Sequence, residues 1–265
     1  MTAIAITGAA GRMGRTLIEG IAAADDLTLG AAFERSDSDF LGTDAGELAG
    51  VGRLGVPITS DPADASFDVL VDFSVPAATL GMLEHCVEMG RGIVIGTTGF
   101  DDAGLAAIDA AAERTAVLTA PNMSLGVNLT FRLIEMAAKA IGQQADIEII
   151  EAHHRHKVDA PSGTAVRMGE IVAEATGRDL SKDAIYGREG ITGAREDNTI
   201  GFATVRAGDI VGEHTVMFAS AGERIEITHR ASSRSNFAQG ALAGARFLAG
   251  KSTGRFDIGD VLGLD

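Results

Sequence analysis

"TAIAITGAAGRMGRTLIEGIAAA", Thr2–Ala24, is the stretch on which the reading of this chain turns. A short apolar run from Ala3 to Ile6 leads into Gly8, Gly11 and Gly14, after which Leu17, Ile18 and Ile21 recur at helical spacing. Strand, glycine-rich turn and amphipathic helix, in that order, are what the first βα turn of a dinucleotide-binding fold requires. The spacing is G-x-x-G-x-x-G rather than the commoner G-x-G-x-x-G, but the physical demands are the same. The backbone must turn sharply, approach a pyrophosphate with no Cβ in the way, and point helix N-terminal N–H groups at the anion. A glycine triplet alone can equally mark a structural turn, so its surroundings decide.

Those surroundings favour a nucleotide site. "LTLGAAFER", Leu27–Arg35, reads as a second strand, and Glu34 near its end lies about 20 residues past Gly14, where an acid can bind the adenosine ribose. Arg35 follows at once and can pair with a 2′-phosphate or stack on adenine, so the two together suggest tolerance of both NADH and NADPH. The alternation then continues. "FDVLVDFS", "GIVIGTTGF" and "TAVLTAPNMS" read as strands, with "ATLGMLEHCVEMG" and "DDAGLAAIDAAAER" as helices between them. Continuous apolar runs such as Val69–Val71 and Ile93–Ile95 suit strands covered on both faces, which makes this half a Rossmann-like, doubly wound α/β parallel sheet. Ligands in such sheets lie beyond the carboxyl ends of the strands. Those ends are Gly8, Ala9, Ala10, Gly11, Arg12 and Met13; Glu34 and Arg35; Phe73 and Ser74; Gly96, Thr97 and Thr98; and Ala120, Pro121, Asn122 and Met123.

The second half changes character. "MSLGVNLTFRLIEMAAKAIGQQ" predicts a long helix beginning near Ser124 or Leu125, "ADIEIIEAHH" a strand and "SGTAVRMGEIVAEATG" another helix. "IGFATVRAG", "IVGEHTVMFASAG" and "ERIEITHRA" follow as short strands joined by Gly-containing turns, most simply an antiparallel sheet, with a mixed sheet the alternative. The expectation is an α+β substrate and oligomerisation domain over 125–233. The dinucleotide domain spans 1–124 and is completed by 234–265, because "SNFAQGALAGARFLAG" is expected to return to it. An open sheet covered by helices on one face needs a partner on the other, which points to a homo-oligomer.

Composition narrows the partners. A formal charge of −15 repels nucleic acid and anionic membrane surfaces, so an anionic small molecule needs a local positive island. The single cysteine, Cys86, cannot form an internal disulfide and reads as a buried packing thiol. No basic leader with a long apolar run and no stretch of about 18 apolar residues appears, which points to a cytoplasmic protein.

The positive island is "EAHHRHKVDAPSGTA", Glu151–Ala165, which holds three of the six histidines. Three readings compete for it. A metal site suits the imidazoles, but His153 and His154 are neighbours at a strand end that point to opposite faces, and Arg155 and Lys157 oppose a cation. A solvated charged loop is the bland alternative. An anion site fits the downstream half better: Ser162 can cap a helix whose first N–H groups, at Gly163 and Thr164, face a carboxylate. Lys157 adds a mobile charge, and a histidine can transfer a proton near neutral pH. His85, His214 and His229 read as structural histidines, and His156 as a bystander.

Taken together, "TGAAGRMG", "GTTGF", "APNMSLGVN", "EAHHRHKVDAPSGTA", "TIGFATVRAGDIVGEHTVMF" and "ITHRASSR" resemble the motifs of the 4-hydroxy-tetrahydrodipicolinate reductase (dihydrodipicolinate reductase) family over essentially the whole chain. Where that family often carries Phe, this chain has Met123. The resemblance implies a two-domain fold, a homotetramer built through the substrate-domain sheets, and NADH or NADPH as cofactor. It implies reduction of a small cyclic dicarboxylate to tetrahydrodipicolinate in diaminopimelate and lysine biosynthesis. By motif position His153 is the general acid/base and Lys157 the proton donor, with His154, Gly163 and Thr164 on the substrate carboxylates. The dinucleotide contacts fall on Gly8 to Met13, Glu34, Arg35, Gly96 to Thr98 and Ala120 to Met123, with no metal; Arg234 is placed at the hinge or cofactor end. Competing readings are a dehydrogenase of another carboxylated imine or carbonyl compound, a non-catalytic NADPH sensor, and a metal hydrolase built on the histidines.

Overall fold

A computed structural model describes residues 1–63 and 65–264. In chain order the elements are β1 (Thr2–Thr7), α1 (Arg12–Ala22), β2 (Leu27–Phe33), α2 (Ala45–Ala49), β3 (Ile58–Thr59), β4 (Val69–Asp72), α3 (Pro76–Met89), β5 (Gly92–Ile95), α4 (Asp102–Ala112) and β6 (Ala116–Thr119). There follow α5 (Leu125–Ile141), β7 (Asp146–His153), α6 (Gly163–Thr176), α7 (Leu180–Asp183), β8 (Ala184–Tyr186), β9 (Ile200–Arg206), β10 (Gly212–Ser220) and β11 (Glu223–Ala231). The chain closes with α8 (Ser235–Leu248), β12 (Gly254–Phe256) and α9 (Ile258–Leu262). No helix among the described residues is long and apolar enough to cross a membrane.

Two compact units result. The first comprises residues 1–125 and the segment from Arg234 onward, the second Gly126–Ser233. The first holds a seven-stranded parallel sheet in the order β12-β6-β5-β4-β1-β2-β3. Successive residues of its strands feed different cores. Ile4, Ile6, Val69, Val71 and Val94 join one cluster with Leu17, Ile18, Ala241 and Leu242, whereas Ala5, Leu70, Ile93 and Ile95 join another with Leu83 and Ile108. Helices on both faces explain why these strands read as unbroken apolar runs. Periodicity passes over β3 and β12, because two or three residues cannot establish a period.

The second unit carries five strands in the order β11-β10-β7-β9-β8. The sheet is mixed, not the simple antiparallel arrangement that the short strands and Gly turns suggested. β10 pairs antiparallel with β7 and β11, but β9 pairs parallel with β7 and with β8. Two crossovers are the reason: α6 and α7 carry the chain back between β7 and β8, and residues 187–199 carry it back again between β8 and β9, as parallel pairing demands. Ile147, Ile149, Val216, Phe218, Ile200 and Phe202 pack with Ala165, Met168 and Val172 of α6 and Ile134 of α5.

Glycines mark where backbones must touch. A Cβ on Gly14 would stand 2.2 Å from the Gly8 carbonyl oxygen, and one on Gly240 in α8 would stand 1.7 Å from that of Met123. Gly81, exposed in α3, has open space around it. Gly240→Ala should therefore destabilise by about 3 kcal/mol through overpacking, whereas Gly81→Ala should stabilise by about 0.5–1 kcal/mol from helix propensity. Urea unfolding of both variants checks the contrast; similar small effects at the two sites would contradict the packing assigned to α8.

Candidate active site

In the first unit the glycine turn forms at the carboxyl end of β1. Gly8 adopts φ +70°, a conformation that suits glycine, and the N–H groups of Gly8 and Ala9 donate to the Phe33 carbonyl at 2.9 and 3.1 Å. Gly11 N donates to the Gly8 carbonyl at 2.9 Å and closes the loop at the entrance to α1, where Gly11 is the N-cap residue with no side chain to cap it. An open helix start behind a glycine turn suits a pyrophosphate. Ala9 is buried, Ala10 and Met13 are half-buried, and Arg12 is exposed.

Glu34 follows β2, and its carboxylate accepts from Ala10 N at 3.0 Å and Arg35 N at 3.2 Å, so the acid beside the turn also braces it. The Arg35 guanidinium is exposed and pairs with Asp37 at 3.1 Å. Further along the sheet, the buried Asp72 organises the loop after β5. It accepts from Thr97 Oγ1 at 2.7 Å, Thr79 Oγ1 at 2.5 Å and Ser74 Oγ at 2.6 Å. Ser74 N in turn donates to Thr97 Oγ1 at 2.8 Å. The Thr97 hydroxyl is thus engaged within the unit, while Thr98 is exposed. Gly96 leaves room for the Phe73 ring, which a Cβ would meet at 2.3 Å. After β6, Ala120 and Met123 are buried, Asn122 Oδ1 accepts from Ser124 N at 2.9 Å, and Pro121 is exposed. The turn, Glu34 and Arg35, the 96–98 loop and the 120–123 segment all sit at the carboxyl ends of strands of one sheet, where a dinucleotide binds such folds.

In the second unit the histidine stretch runs from the end of β7 to the start of α6. Along β7, Ile147, Ile149, Glu151 and His153 are buried, with Glu148, Ile150 and Ala152 in the opposite phase. The site thus continues the core stripe of the strand. His153 Nδ1 lies 2.6 Å from Glu151 Oε2, and the Arg206 guanidinium grips both Glu151 oxygens at 2.8 Å each. Ser162 N donates to Glu151 Oε1 at 3.0 Å. Burial opposes the charge on Glu151, but Arg206, His153 and Ser162 outweigh it and hold the carboxyl below its usual range. Burial also dominates at His153 and lowers its pKa, against the pull of Glu151.

Lys157 Nζ pairs with Asp159 at 2.8 Å, and this pairing holds Asp159 below the ordinary carboxylate range. His154 leaves the strand half-buried, its Nδ1 enclosed without a hydrogen-bond partner, and its ring lies 6.3 Å from that of His156. Gly163 and Thr164 open α6, and Ser162 caps it by accepting from Ala165 N at 3.2 Å. No group of three or more His, Cys, Asp or Glu side chains converges as a metal shell would among the described residues.

Sequence reasoning passed over four participants. Glu151 had a signal: it is an acid in phase with Ile147 and Ile149, whereas Asp146 and Glu148 fall on the other side of the strand. Arg206 and Gly212 had none, since they arrive from β9 and β10; a Cβ on Gly212 would stand 3.0 Å from His153 Nε2. His214 reads as a packed histidine, and it is buried; in addition its Nε2 lies 2.8 Å from Ser162 Oγ, and its ring meets that of His153 edge-on with centroids 5.0 Å apart.

Burial, with the neighbouring His153 charge, pushes His214 down to about 4. A base depressed in the folded state contributes stability that is complete above its unfolded value near 6.5 and is lost as pH falls toward about 4. His214→Gln should flatten the stability profile in that window by up to about 1.4 kcal/mol per pH unit. Urea unfolding at intervals from pH 7 downward measures it; parallel profiles for the two proteins would contradict the buried, neutral state of His214.

Comparisons with known proteins bear on both units. The family profile described as "Dihydrodipicolinate reductase, N-terminus" matches residues 2–123, and "Dihydrodipicolinate reductase, C-terminus" matches 126–262. A protein named 4-hydroxy-tetrahydrodipicolinate reductase from Alkalilimnicola ehrlichii is 61% identical, with 99% of each chain covered. One of the same name from Chromohalobacter salexigens is 58% identical over 100% of this chain and 99% of its own. Among solved structures, a dipicolinate-bound dihydrodipicolinate reductase from Paenisporosarcina sp. TG-14 superposes with a TM-score of 0.78 at 25% identity, covering 97% of both chains. With profiles spanning nearly its full length and close relatives aligned end to end, this chain belongs to the dihydrodipicolinate reductase family.

Proposed function

We propose a division of labour in which the first unit binds the nicotinamide cofactor and the histidine edge of the second binds the substrate and moves its protons. The chain is an NAD(P)H-dependent oxidoreductase that reduces 4-hydroxy-2,3,4,5-tetrahydrodipicolinate to 2,3,4,5-tetrahydrodipicolinate, with loss of water, in diaminopimelate and lysine biosynthesis. The observation that carries the assignment of residues is His153. Its Nδ1 is engaged by Glu151, which leaves Nε2 for proton transfer, and α6 starts ten residues further along the chain with a capped N-terminus suited to a carboxylate.

The cofactor fits the residues present. Gly8 at positive φ and the uncapped start of α1 supply the backbone cradle for a pyrophosphate, formed by Gly8, Ala9, Ala10, Gly11, Arg12 and Met13. Glu34 would accept from the adenosine ribose, and the exposed Arg35 would pair with a 2′-phosphate. Gly96, Thr97, Thr98 and Ala120 to Met123 would hold the nicotinamide end. When bound, the cofactor supplies the hydride. The substrate is a small dicarboxylate: Gly163 and Thr164 at the head of α6 would hold one carboxylate and His154 would bind alongside. Fixing the ring in this way supplies the orientation term in catalysis. Reduction of the conjugated imine left after loss of water produces an enamine that needs one proton. Lys157 Nζ would deliver it, released from Asp159, with His153 Nε2 as general acid/base; such transfers contribute about 10²–10⁴-fold.

The assembly we propose is a homotetramer built through the sheet of the second unit. Its uncovered face carries Ile150 and Val205 at 37% and 45% exposure, apolar positions that a partner sheet would cover. A cytoplasmic location accords with a biosynthetic enzyme that draws on the pooled nicotinamide cofactor.

Mixing the protein with NADPH, pyruvate, aspartate semialdehyde and the preceding synthase should produce substrate-dependent loss of reduced-cofactor absorbance. In that assay His153→Ala and Lys157→Ala should each lower kcat by about 10²–10⁴-fold with NADPH affinity unchanged; an equal loss of cofactor binding would move both residues out of the proton-transfer role. Glu34→Gln should weaken NADH binding more than NADPH binding, because it removes a ribose acceptor and also a negative charge near the 2′ position. Equal losses for the two cofactors, read by fluorescence titration, would end its ribose assignment.

A further inference from the structure

We infer that Glu151 is the positioning residue of the proton-transfer site: it fixes the His153 imidazole with Nδ1–H toward its own carboxylate and Nε2 toward the substrate, and ties that orientation to the start of α6. The inference rests on the acid/base reading of His153 above.

Glu151 is 1% exposed and points into the helix-covered side of β7, where an unpartnered carboxylate would be costly. It is retained with its lone pairs occupied, by Arg206 Nη1 and Nη2, His153 Nδ1 and Ser162 N. Arg206 is itself held in place, since its guanidinium also donates to the Val205 and Asp159 carbonyls at 2.8 and 2.6 Å. A fork gripping both oxygens keeps Glu151 ionised, and an ionised carboxylate can only accept. Nδ1 of His153 must therefore carry the hydrogen, and the exchangeable site is Nε2. The same logic orients metal-bound and triad histidines through a carboxylate partner.

The second consequence concerns coupling. Ser162 donates its backbone N–H to Glu151, caps α6 through its hydroxyl and meets His214 Nε2 through that same oxygen. The imidazole that moves the proton and the helix start that would take a substrate carboxylate are thus fastened to one side chain. The charged or titratable groups facing His153 are Glu151 from its own strand, Arg206 from β9, His214 from β10, and Lys157 and Asp159 from the loop after β7. His153 Nε2 faces the space that Gly212 leaves open.

The test uses the full-length protein with NADPH bound. In ¹⁵N-detected NMR of histidine-labelled wild type, neutral His153 should show Nδ1 protonated and Nε2 unprotonated. The Nε2–H tautomer in the wild type would overturn the inference, whatever any variant does. Glu151→Gln should lower kcat by about 10²–10⁴-fold, change the substrate KM less than about threefold and leave NADPH affinity alone. It should also move the His153 limb of the pH profile to lower pH, because the attraction of the carboxylate for the imidazolium is gone. Glu151→Asp, which retains the charge one methylene further back, should restore part of that limb and of the NMR signature. A Glu151→Gln protein that folds, melts normally and retains the wild-type limb and tautomer would overturn the inference. His153→Gln separates the two claims. Undiminished turnover in that variant would overturn the acid/base reading itself, whereas its inactivity beside a normal Glu151→Gln would remove only the role of Glu151.

Discussion

The ion pair between Glu151 and Arg206 is the contact on which the arrangement of the second unit's histidine edge depends. β7 places every second residue against α5 and α6, and the strand spends two of those core-facing positions on Glu151 and His153. Desolvating a carboxylate there is expensive, and the cost is offset only because a guanidinium from the parallel neighbour β9 reaches both oxygens. Removing one member of such a pair typically costs about 3–5 kcal/mol, since the other is left buried and uncompensated. The mixed sheet is therefore part of the site. The parallel pairing of β9 with β7 sets Arg206 directly opposite His153, two residues along from the Glu151 that its guanidinium reaches.

The first unit solves a different problem by similar means. Its strands are buried on both faces, so polar groups at their carboxyl ends must find partners at once or face the ligand. Asp72 supplies such partners. One buried carboxylate gathers three hydroxyls from β4's own exit, from α3 and from the loop after β5, and so fixes the start of the 96–98 loop at the carboxyl end of β5. Glu34 does the same on a smaller scale for the glycine turn through Ala10 N. In both units an acid anchors a loop that follows a strand.

Much of this was legible without a structure. The strand–turn–helix order at Thr2–Ala24, the unbroken apolar runs and the acid after β2 follow from periodicity and spacing, because each depends on residues a few positions apart. The helix start at Gly163 was legible for the same reason, since Ser162 caps it locally. The short strands β3, β8 and β12 were not, nor was the parallel direction of β9, because these are decided by which neighbour completes a hydrogen-bond ladder. Glu151 lies between the two cases. Its phase in β7 is visible in the sequence, but phase alone does not say what the carboxylate does.

The sequence by itself determined the class of chemistry: a glycine turn before an amphipathic helix, and a cationic, histidine-bearing edge that runs into a capped helix start. Those are local matters of backbone geometry and residue type. Only the tertiary structure decided how the edge is held, because Arg206, Gly212 and His214 come from strands more than 45 residues beyond His153 and meet it through the sheet. Pairing across strands is a global choice, made by burial and hydrogen bonding over the whole sheet, and it set one imidazole of the histidine run against a buried carboxylate.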